Sequence, residues 1–236
     1  MSNTIKRISY TGIALALCGL AGLASAKDEL PDTTVDGLKR VETKNVDALY
    51  IQDGATLEPY KRVYLVDCAV AFRKNWERDY NRDVVDLSRR VSDKDMQRIQ
   101  SALSEEFKTV FTRELERGGY QITTELASDV LILRPALVNL DVNAPDLMTA
   151  GMSYTIVQSA GSMTLYLEMY DAGTNAKIAM VMDARADPDG MAVRSNRTTN
   201  KAAADRVLRH WADRLVKALD AAHGKDKDGE KEKEQG

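Results

Sequence analysis

The chain has 236 residues, of which 44% are hydrophobic and 29% are charged, and its formal net charge at pH 7 is −3. This composition is typical of a globular protein and is too apolar for an intrinsically disordered one. A mildly acidic chain lacks the clustered basic face that nucleic-acid binding requires, so we expect no nucleic-acid partner.

Residues 1–26 have the three parts of a secretory signal peptide. A short positive region, Lys6-Arg7, precedes a mostly apolar run over residues 8–23, and Ala24-Ser25-Ala26 supplies the small residues that signal peptidase needs. The apolar run is too short and too rich in small residues for a stable membrane span. The sequence therefore predicts cleavage after Ala26, export to the bacterial periplasm with Lys27 as the first mature residue, and no transmembrane helix after cleavage.

The two cysteines bear on how the exported chain is held and stabilised. Leu17 precedes Cys18 where a bacterial lipobox has a small residue, so cleavage after Ala26 is favoured and an outer-membrane lipoprotein is the less favoured alternative. Cleavage leaves Cys68 alone, so no internal disulfide can form. Cys68 lies in the apolar run 63–72 and is predicted to be a small buried thiol, the alternative being a reactive thiol or an intermolecular disulfide.

The first predicted elements are a strand and a long helix. Residues 27–59 are polar and are predicted to be an N-terminal segment, and residues 63–72 have the β-branched and aromatic composition of a strand. A helix is predicted from Asp93, because Ser92 is a good N-cap and apolar residues then recur at three- and four-residue steps until Gly118-Gly119.

Strand patterns follow this helix. Residues 120–124 and 130–142 are predicted strands, the second with a bulge or an edge position at Pro135, which has no N–H to donate. Residues 162–171 and 178–185 alternate around a turn that contains glycine, which predicts a hairpin with one buried and one wetter face.

A second amphipathic helix is predicted near residues 199–222, followed by a charged tail. Residues 224–236 are too polar to offset the entropy of ordering and are predicted to be disordered. Together the elements predict an α+β fold, a two-layer sandwich of a mainly antiparallel sheet with amphipathic helices packed on one face. Residues 60–223 are predicted to form this single domain.

Motifs for catalysis and for cofactors are missing from the sequence. Gly118-Gly119 follows a helix instead of opening one, which is wrong for a phosphate-binding loop, and Ser153 lacks the second glycine of a nucleophile elbow. The mature chain has one cysteine and two widely spaced histidines, His210 and His223, which do not make a zinc pattern. We therefore predict no catalytic residues, no metal and no cofactor.

Acidic residues leave one catalytic alternative open. Asp183, Asp187 and Asp189 faintly resemble a calcium loop but lack its further oxygen ligands and its terminal glutamate. Asp141 and Asp146 flank a proline turn, and nothing predicts that they converge on a substrate. The alternative is a periplasmic hydrolase, which a deep cleft holding two or more of Asp141, Asp146, Asp183 and Asp187 would favour.

One predicted surface is more distinctive. The polar face of the hairpin is predicted to carry Tyr166, Tyr170 and Val181, with further methionine and tyrosine residues upstream in residues 148–154. Tyrosine and methionine are favoured at interfaces. This face is a candidate partner surface for an unidentified envelope protein or ligand, or for a second copy of the chain in a homo-oligomer. The alternative is that another element of the chain covers it.

Several short segments spread over most of residues 27–222 carry a family resemblance: Asp36-Gly37-Leu38, the stretch from Ala48-Leu49-Tyr50-Ile51 to Gly54-Ala55, Tyr60-Lys61-Arg62-Val63, Ser92-Asp93, Glu116-Arg117-Gly118-Gly119-Tyr120 and Asp129-Val130-Leu131-Ile132-Leu133-Arg134-Pro135. In these the chain resembles the bacterial domain-of-unknown-function family 3313, secreted envelope proteins of which many are described as lipoproteins. The resemblance implies an envelope location and the two-layer fold. The family has no assigned activity, so the resemblance carries over no functional residue.

The leading prediction is a non-catalytic periplasmic envelope protein that works by binding, as an accessory of envelope assembly or maintenance. The alternatives are the periplasmic hydrolase and a self-associating structural protein of the envelope.

Overall fold

The computed structural model describes residues 30–82, 84–142, 155–157, 161–186, 193–195 and 197–225. The described residues from Asp32 onward belong to one compact unit; of the other, residues 1–31, only Leu30 and Pro31 are described. The predicted signal peptide, its cleavage site at Ala26, and the tail beyond Lys225 therefore lie outside the described residues.

Ten strands and three α-helices form in this described part of the chain. The strands are β1 (Lys39–Val41), β2 (Ala48–Ile51), β3 (Arg62–Leu65), β4 (Ala69–Phe72), β5 (Gln121–Ile122), β6 (Val130–Val142), β7 (Thr155–Val157), β8 (Gly161–Asp171), β9 (Lys177–Ala186) and β10 (Val193–Ser195). The helices are α1 (Trp76–Arg82), α2 (Asp93–Arg117) and α3 (Arg197–Ala222), with a 3-10 turn at Leu87–Arg89. None of the helices described is apolar enough over a sufficient length to cross a bilayer.

Eight of the strands form one mixed sheet in the order β1-β2-β9-β8-β6-β3-β5, with β4 also beside β6. The pairs β1–β2, β2–β9, β9–β8 and β8–β6 are antiparallel, whereas β3 and β4 run parallel to β6 and β5 runs parallel to β3. β7 and β10 form a separate antiparallel pair. The predicted α+β sandwich with a mainly antiparallel sheet is confirmed.

The two long helices cover one face of the sheet. Phe107, Phe111 and Leu115 of α2 and Leu208 and Leu219 of α3 are essentially inaccessible to solvent. They pack in one cluster with alternate residues of β6 and β8, namely Leu131, Leu133, Leu137, Met163, Leu165, Leu167 and Met169. Burial of each such Leu or Phe side chain contributes about 1.5–3 kcal/mol to the free energy of unfolding. This core holds the sheet and the helices together.

The long helix begins where the sequence predicts. Ser92 Oγ accepts from the backbone N–H of Asp95 at 3.3 Å, and Asp95 Oδ2 accepts from the Ser92 N–H at 3.1 Å, which is a reciprocal capping box. At the other end, a side chain on Gly118 would meet Val216 of α3 at 2.7 Å, and Gly119 has a φ of 85°. Both glycines are therefore required, one for close helix packing and one for the left-handed turn.

The predicted strand over residues 63–72 is divided into β3 and β4, which lie end to end beside β6. Strand β6 is an interior strand, so the predicted bulge or edge position at Pro135 is wrong; the irregularity lies at Asn139, whose φ is 52°. The Leu133 carbonyl accepts from the Val66 N–H at 3.0 Å, so its backbone groups face β3. Pro135 is two residues further along, so its backbone groups face the same side as those of Leu133. They lie at the break between β3 and β4, where no strand hydrogen bond is lost because proline has no N–H.

The predicted hairpin is present, but one residue lies on the other face. Val181 pairs with Leu167 on the helix side of the sheet, and Met182 pairs with Tyr166, so the prediction that Val181 shares a face with the tyrosines is wrong. The register shifts between Met169 and Tyr170, where β9 has one extra residue. Counting from the turn without this bulge would place Val181 opposite Tyr166, and the bulge moves it to the core face.

The polar segment over residues 27–59 contributes more to the fold than its composition predicts. It supplies β1 and β2, which extend the sheet beyond β9. Ala48 and Tyr50 of β2 are 2% and 1% exposed.

Candidate functional site

A cavity of about 370 Å³ lies where β4, α1 and the end of β6 meet. Its lining side chains are Arg73, Trp76, Asp79, Tyr80, Arg82, Asp141 and Val142. The volume falls at the lower end of the roughly 300–1,000 Å³ of small-molecule sites. It therefore suits a small ligand or one unit of a larger one.

Helix α1 provides the aromatic wall of this cavity. Its first residue, Trp76, ends a turn that begins at Arg73, and the Trp76 N–H donates to the Arg73 carbonyl at 3.1 Å. The spacing of Trp76, Asp79 and Tyr80 places all three on one helix face. Trp76 stacks on Phe72 at 4.3 Å between ring centroids and on Tyr80 at 5.7 Å, so the three rings form one continuous stack.

Arg73 forms the polar side of the cavity and divides its guanidinium between two carboxylates. Its Nε donates to Asp141 Oδ2 at 2.7 Å, and its Nη1 donates to Asp79 Oδ2 at 3.0 Å. Hydrogen bonds from Arg73 and then from Arg78 lower the pKa of Asp79, so this carboxyl stays ionised. Arg82 also approaches Asp79, at 3.9 Å. Among the lining residues two arginines thus face two aspartates, so the formal charges of the lining balance, and Arg78, outside the lining, also binds Asp79, at 3.2 Å.

Three polar groups of the lining have no partner among the described residues. They are the Nε1–H of Trp76, the hydroxyl of Tyr80 and Oδ1 of Asp141. The Trp76 side chain as a whole is only 2% exposed. Burial raises the pKa of the Tyr80 hydroxyl, so it remains a donor at neutral pH. Two donors and one acceptor are therefore available to a ligand.

The sequence-predicted acidic residues do not gather in this cavity. Asp141 lines it, whereas Asp183 lies under α3, is 1% exposed, and accepts from Trp211 Nε1 at 2.7 Å and from Arg185 Nε at 2.7 Å. The Asp47 N–H donates to Asp183 as well, at 3.1 Å. Asp183 thus ties α3 to the sheet. Asp146, Asp187 and Asp189 lie outside the described residues.

Arg73, Trp76, Asp79 and Tyr80 were not predicted as site residues from the sequence. The i, i+3, i+4 spacing of Trp76, Asp79 and Tyr80 in a charged stretch is the local signal that could have indicated the aromatic face. The pairing with Asp141 joins residues that are 68 positions apart, and no local pattern predicts it.

The two tyrosines of the predicted partner surface lie on the face of the sheet opposite the helices. Tyr170 donates to Glu168 Oε2 at 2.9 Å and Tyr166 donates to Oε1 at 3.4 Å. Lys177 pairs with the same carboxylate at 2.6 Å and with Asp36 at 2.5 Å. Burial and the Glu168 charge raise the pKa of Tyr166 to about 12. Both hydroxyls are therefore engaged within the chain, and residues 148–154 lie outside the described residues.

The remaining candidates for a nucleophile or a metal ligand, the cysteine and the two histidines, are either buried or in contact with groups of the chain itself. Cys68 is buried, and burial raises the pKa of its thiol to about 12, which confirms the predicted small buried thiol. His210 accepts from Arg214 Nε at 2.8 Å, and burial lowers its pKa. His223 Nδ1 lies 2.7 Å from the Leu219 carbonyl. Within the described parts of the chain, no three His, Cys, Asp or Glu side chains come together as a metal site.

Comparisons with known proteins give a family and several distant structural likenesses. Among solved structures, the PelC dodecamer from Paraburkholderia phytofirmans is 11% identical, with 69% of this chain and 95% of that chain covered and a TM-score of 0.32. A minor lipoprotein from Acinetobacter baumannii is 12% identical (69% and 94% covered, TM-score 0.33). A Xanthomonas campestris protein of family DUF330 is also 12% identical (75% and 94% covered, TM-score 0.40). These likenesses are too distant to support a function.

Comparison with curated proteins gives no match. The family model for proteins of unknown function, DUF3313, matches residues 31–215. This match spans most of the sequence and every element of the main sheet, and the chain therefore belongs to the DUF3313 family.

Proposed function

We propose that the chain is a non-catalytic binding protein of the bacterial cell envelope, which holds its ligand in the cavity between α1 and the end of β6. The observation that carries this proposal is the lining itself. An aromatic wall stands beside the three polar groups that no described residue uses, Trp76 Nε1–H, the Tyr80 hydroxyl and Asp141 Oδ1. Convergent polar groups that fix the orientation of a ligand are typical of ligand sites, and here they stand beside aromatic side chains.

The carboxylates of the cavity support binding instead of hydrolysis. A general acid needs a pKa near the working pH, which enzymes reach by raising the pKa of a carboxyl group. Arg73 does the opposite to Asp79, because its hydrogen bond lowers the pKa of that carboxyl. Asp183, a second acidic residue of the hydrolase alternative, is held in the core by Trp211. Carboxylates held in this way are suited to accepting hydrogen bonds from a bound ligand.

Export of the chain is supported by the sequence pattern of residues 1–26. In this proposal signal peptidase cleaves after Ala26, and the mature protein begins at Lys27 in the periplasm without a lipid anchor. Mass spectrometry of the protein recovered from cells that express the full precursor tests this step. A mature protein that begins at an acylated Cys18 would contradict the proposed location and leave the ligand cavity unaffected.

The intrinsic fluorescence of Trp76 tests the binding function directly. The chain has two tryptophans, and Trp211 lies on the buried face of α3, where it donates to Asp183, and is not part of the cavity lining. The exported protein is titrated with separated saccharide, lipid and peptide fractions of a bacterial envelope. We expect a saturable change in emission with one fraction, loss of that change in Trp76→Phe, and recovery of the bound material with its mass unchanged.

Two outcomes contradict the proposal. Either no fraction changes the emission of Trp76, or the bound material is recovered in a cleaved form. The second outcome would favour the hydrolase.

A further inference from the structure

We infer that the cavity binds a neutral carbohydrate unit, a sugar ring with neighbouring hydroxyl groups. This inference rests on the proposed binding function and names the class of ligand for the same cavity.

The charge of the lining favours a neutral ligand. Arg73 is paired with both Asp141 and Asp79, at 2.7 and 3.0 Å, and Arg82 lies near Asp79 as well. An anionic ligand would have to compete with these carboxylates for the guanidinium, and a cationic ligand would have to compete with Arg73 for the carboxylates. A neutral polar molecule disturbs neither ion pair.

The hydrogen-bonding groups favour hydroxyls. The Trp76 N–H can only donate, the Asp141 carboxylate can only accept, and the Tyr80 hydroxyl can do both. A sugar hydroxyl also donates and accepts, so neighbouring hydroxyls of one ring can satisfy donors and acceptors placed side by side. The three unused groups of the lining thus match a polyhydroxylated ring.

The aromatic stack favours a ring over a flexible chain. Trp76 is 2% exposed and lies in the middle of the stack, between Phe72 and Tyr80, so Tyr80 is the ring that ends the stack and lines the cavity. The C–H face of a sugar ring can pack on Tyr80 while its hydroxyls point to the polar side. Because the stack is fixed before binding, little conformational entropy is lost when the ligand docks.

The composition of the lining disfavours a lipid tail. Four of the seven lining residues, the two arginines and the two aspartates, are charged. An acyl chain would remove water from these groups without replacing its hydrogen bonds, which is unfavourable. A cavity of about 370 Å³ is also small for a folded segment of another protein.

The test uses neutral trisaccharides of glucose, galactose, mannose and N-acetylglucosamine, with trigalacturonate as the anionic counterpart. Binding to the exported protein is measured by Trp76 emission and by titration calorimetry. We expect at least one neutral trisaccharide to bind saturably, and trigalacturonate to bind at least 10-fold more weakly than that trisaccharide.

Asp129 offers a matched control for Asp141. Both are aspartates paired with an arginine at one end of β6, and the side chains of Asp129 and Asp141 are 38% and 34% exposed. We expect Asp141→Asn to weaken binding of the neutral trisaccharide at least 10-fold and Asp129→Asn to leave it unchanged. Tyr80→Phe keeps the aromatic stack and should weaken binding about 3- to 10-fold, so it tests the site even if Asp141→Asn does not fold.

Several results would overturn the carbohydrate assignment. They are binding of none of the neutral trisaccharides, tighter binding of trigalacturonate, or equal losses in Asp129→Asn and in both Asp141→Asn and Tyr80→Phe. If the lipid or peptide fraction of the envelope still changes Trp76 emission, the ligand class is wrong and the proposed binding function stands. If no fraction does, both are wrong.

Discussion

Each end of β6 carries an arginine–aspartate pair, and the two pairs are built differently. At the start of the strand, Arg62 gives both Nε and Nη2 to Asp129, at 2.8 and 2.6 Å, so one arginine closes on one carboxylate. At the other end, Arg73 is divided between Asp141 and Asp79. The sequence separations are almost the same, 67 and 68 positions.

Residue type and sequence spacing alone therefore do not make a site. The closed pair uses its carboxylate fully, as a bidentate pair does. The divided pair leaves Asp141 Oδ1 without a partner among the described residues and stands beside the aromatic face of α1. A third residue, Asp79, opens the second pair, and it reaches Arg73 only because α1 follows β4 directly.

The two tryptophans of the chain also differ in whether their N–H is used within the fold. Replacing each by phenylalanine should therefore change the free energy of unfolding by different amounts. Trp211 Nε1 donates to buried Asp183 at 2.7 Å, so Trp211→Phe leaves a buried carboxylate without one of its donors. We expect a loss of about 1–3 kcal/mol in the free energy of unfolding from this hydrogen bond. Trp76→Phe removes an N–H that has no partner among the described residues, so its loss should be smaller.

Urea unfolding of the two variants, followed by circular dichroism, measures both effects. Equal losses, or a larger loss for Trp76→Phe, would contradict the view that Trp211 is a structural residue and Trp76 a ligand residue.

Acid should protonate the paired aspartates at both ends of β6. At the start of the strand the effect is measured by the free energy of unfolding, and at the other end by ligand binding. The hydrogen bond from Arg62 lowers the pKa of Asp129 below its ordinary 3.8, and hydrogen bonds from Arg73 and Arg78 lower that of Asp79. The stabilisation from such groups is fully present above pH 3.8 and is lost as the pH falls through the lowered pKa values. Asp129→Asn should therefore flatten the acid dependence of unfolding below pH 3.8.

The pH dependence of ligand binding should be set by the charged groups at the other end of β6. Because Asp79 keeps its charge to a pH below 3.8, the cavity should retain its Arg73 bridge and bind at pH 5 as it does at pH 7. Trp76 emission in a ligand titration at both values checks this. A marked loss of affinity at pH 5 would show that another group controls the site.

Local patterns account for the parts of the fold that were predicted correctly. The start of α2 depends on Ser92 and Asp95, three residues apart, and β6 has an apolar run long enough to be recognised. By contrast, β1 and β2 lie in a polar segment where only alternate residues such as Ala48 and Tyr50 are buried. Such short strands depend on their pairing partners, and no local pattern in the sequence indicates which strands those are.

The candidate site depends on register, which explains why it was not predicted. Arg73 meets Asp141 because β4 and β6 pair in parallel with Phe72 opposite Leu140, after a shift caused by Asn139. One residue of slippage turns every side chain of a strand to the other face. The misplacement of Val181 has the same origin, since a single bulge in the hairpin changes its face.

The outer face of the sheet offers the smallest effect and the sharpest negative control. Tyr170 is partly buried and donates to Glu168 at 2.9 Å, so Tyr170→Phe should cost about 0.5–1.5 kcal/mol of unfolding free energy through one lost hydrogen bond. Because this hydroxyl lies on the sheet face and not in the cavity lining, the variant should bind the neutral trisaccharide as the parent protein does. Light scattering should also give the same molar mass for both at high concentration. A variant that changes the oligomeric state would instead support the predicted partner surface around Tyr166 and Tyr170 and a self-associating role for this face.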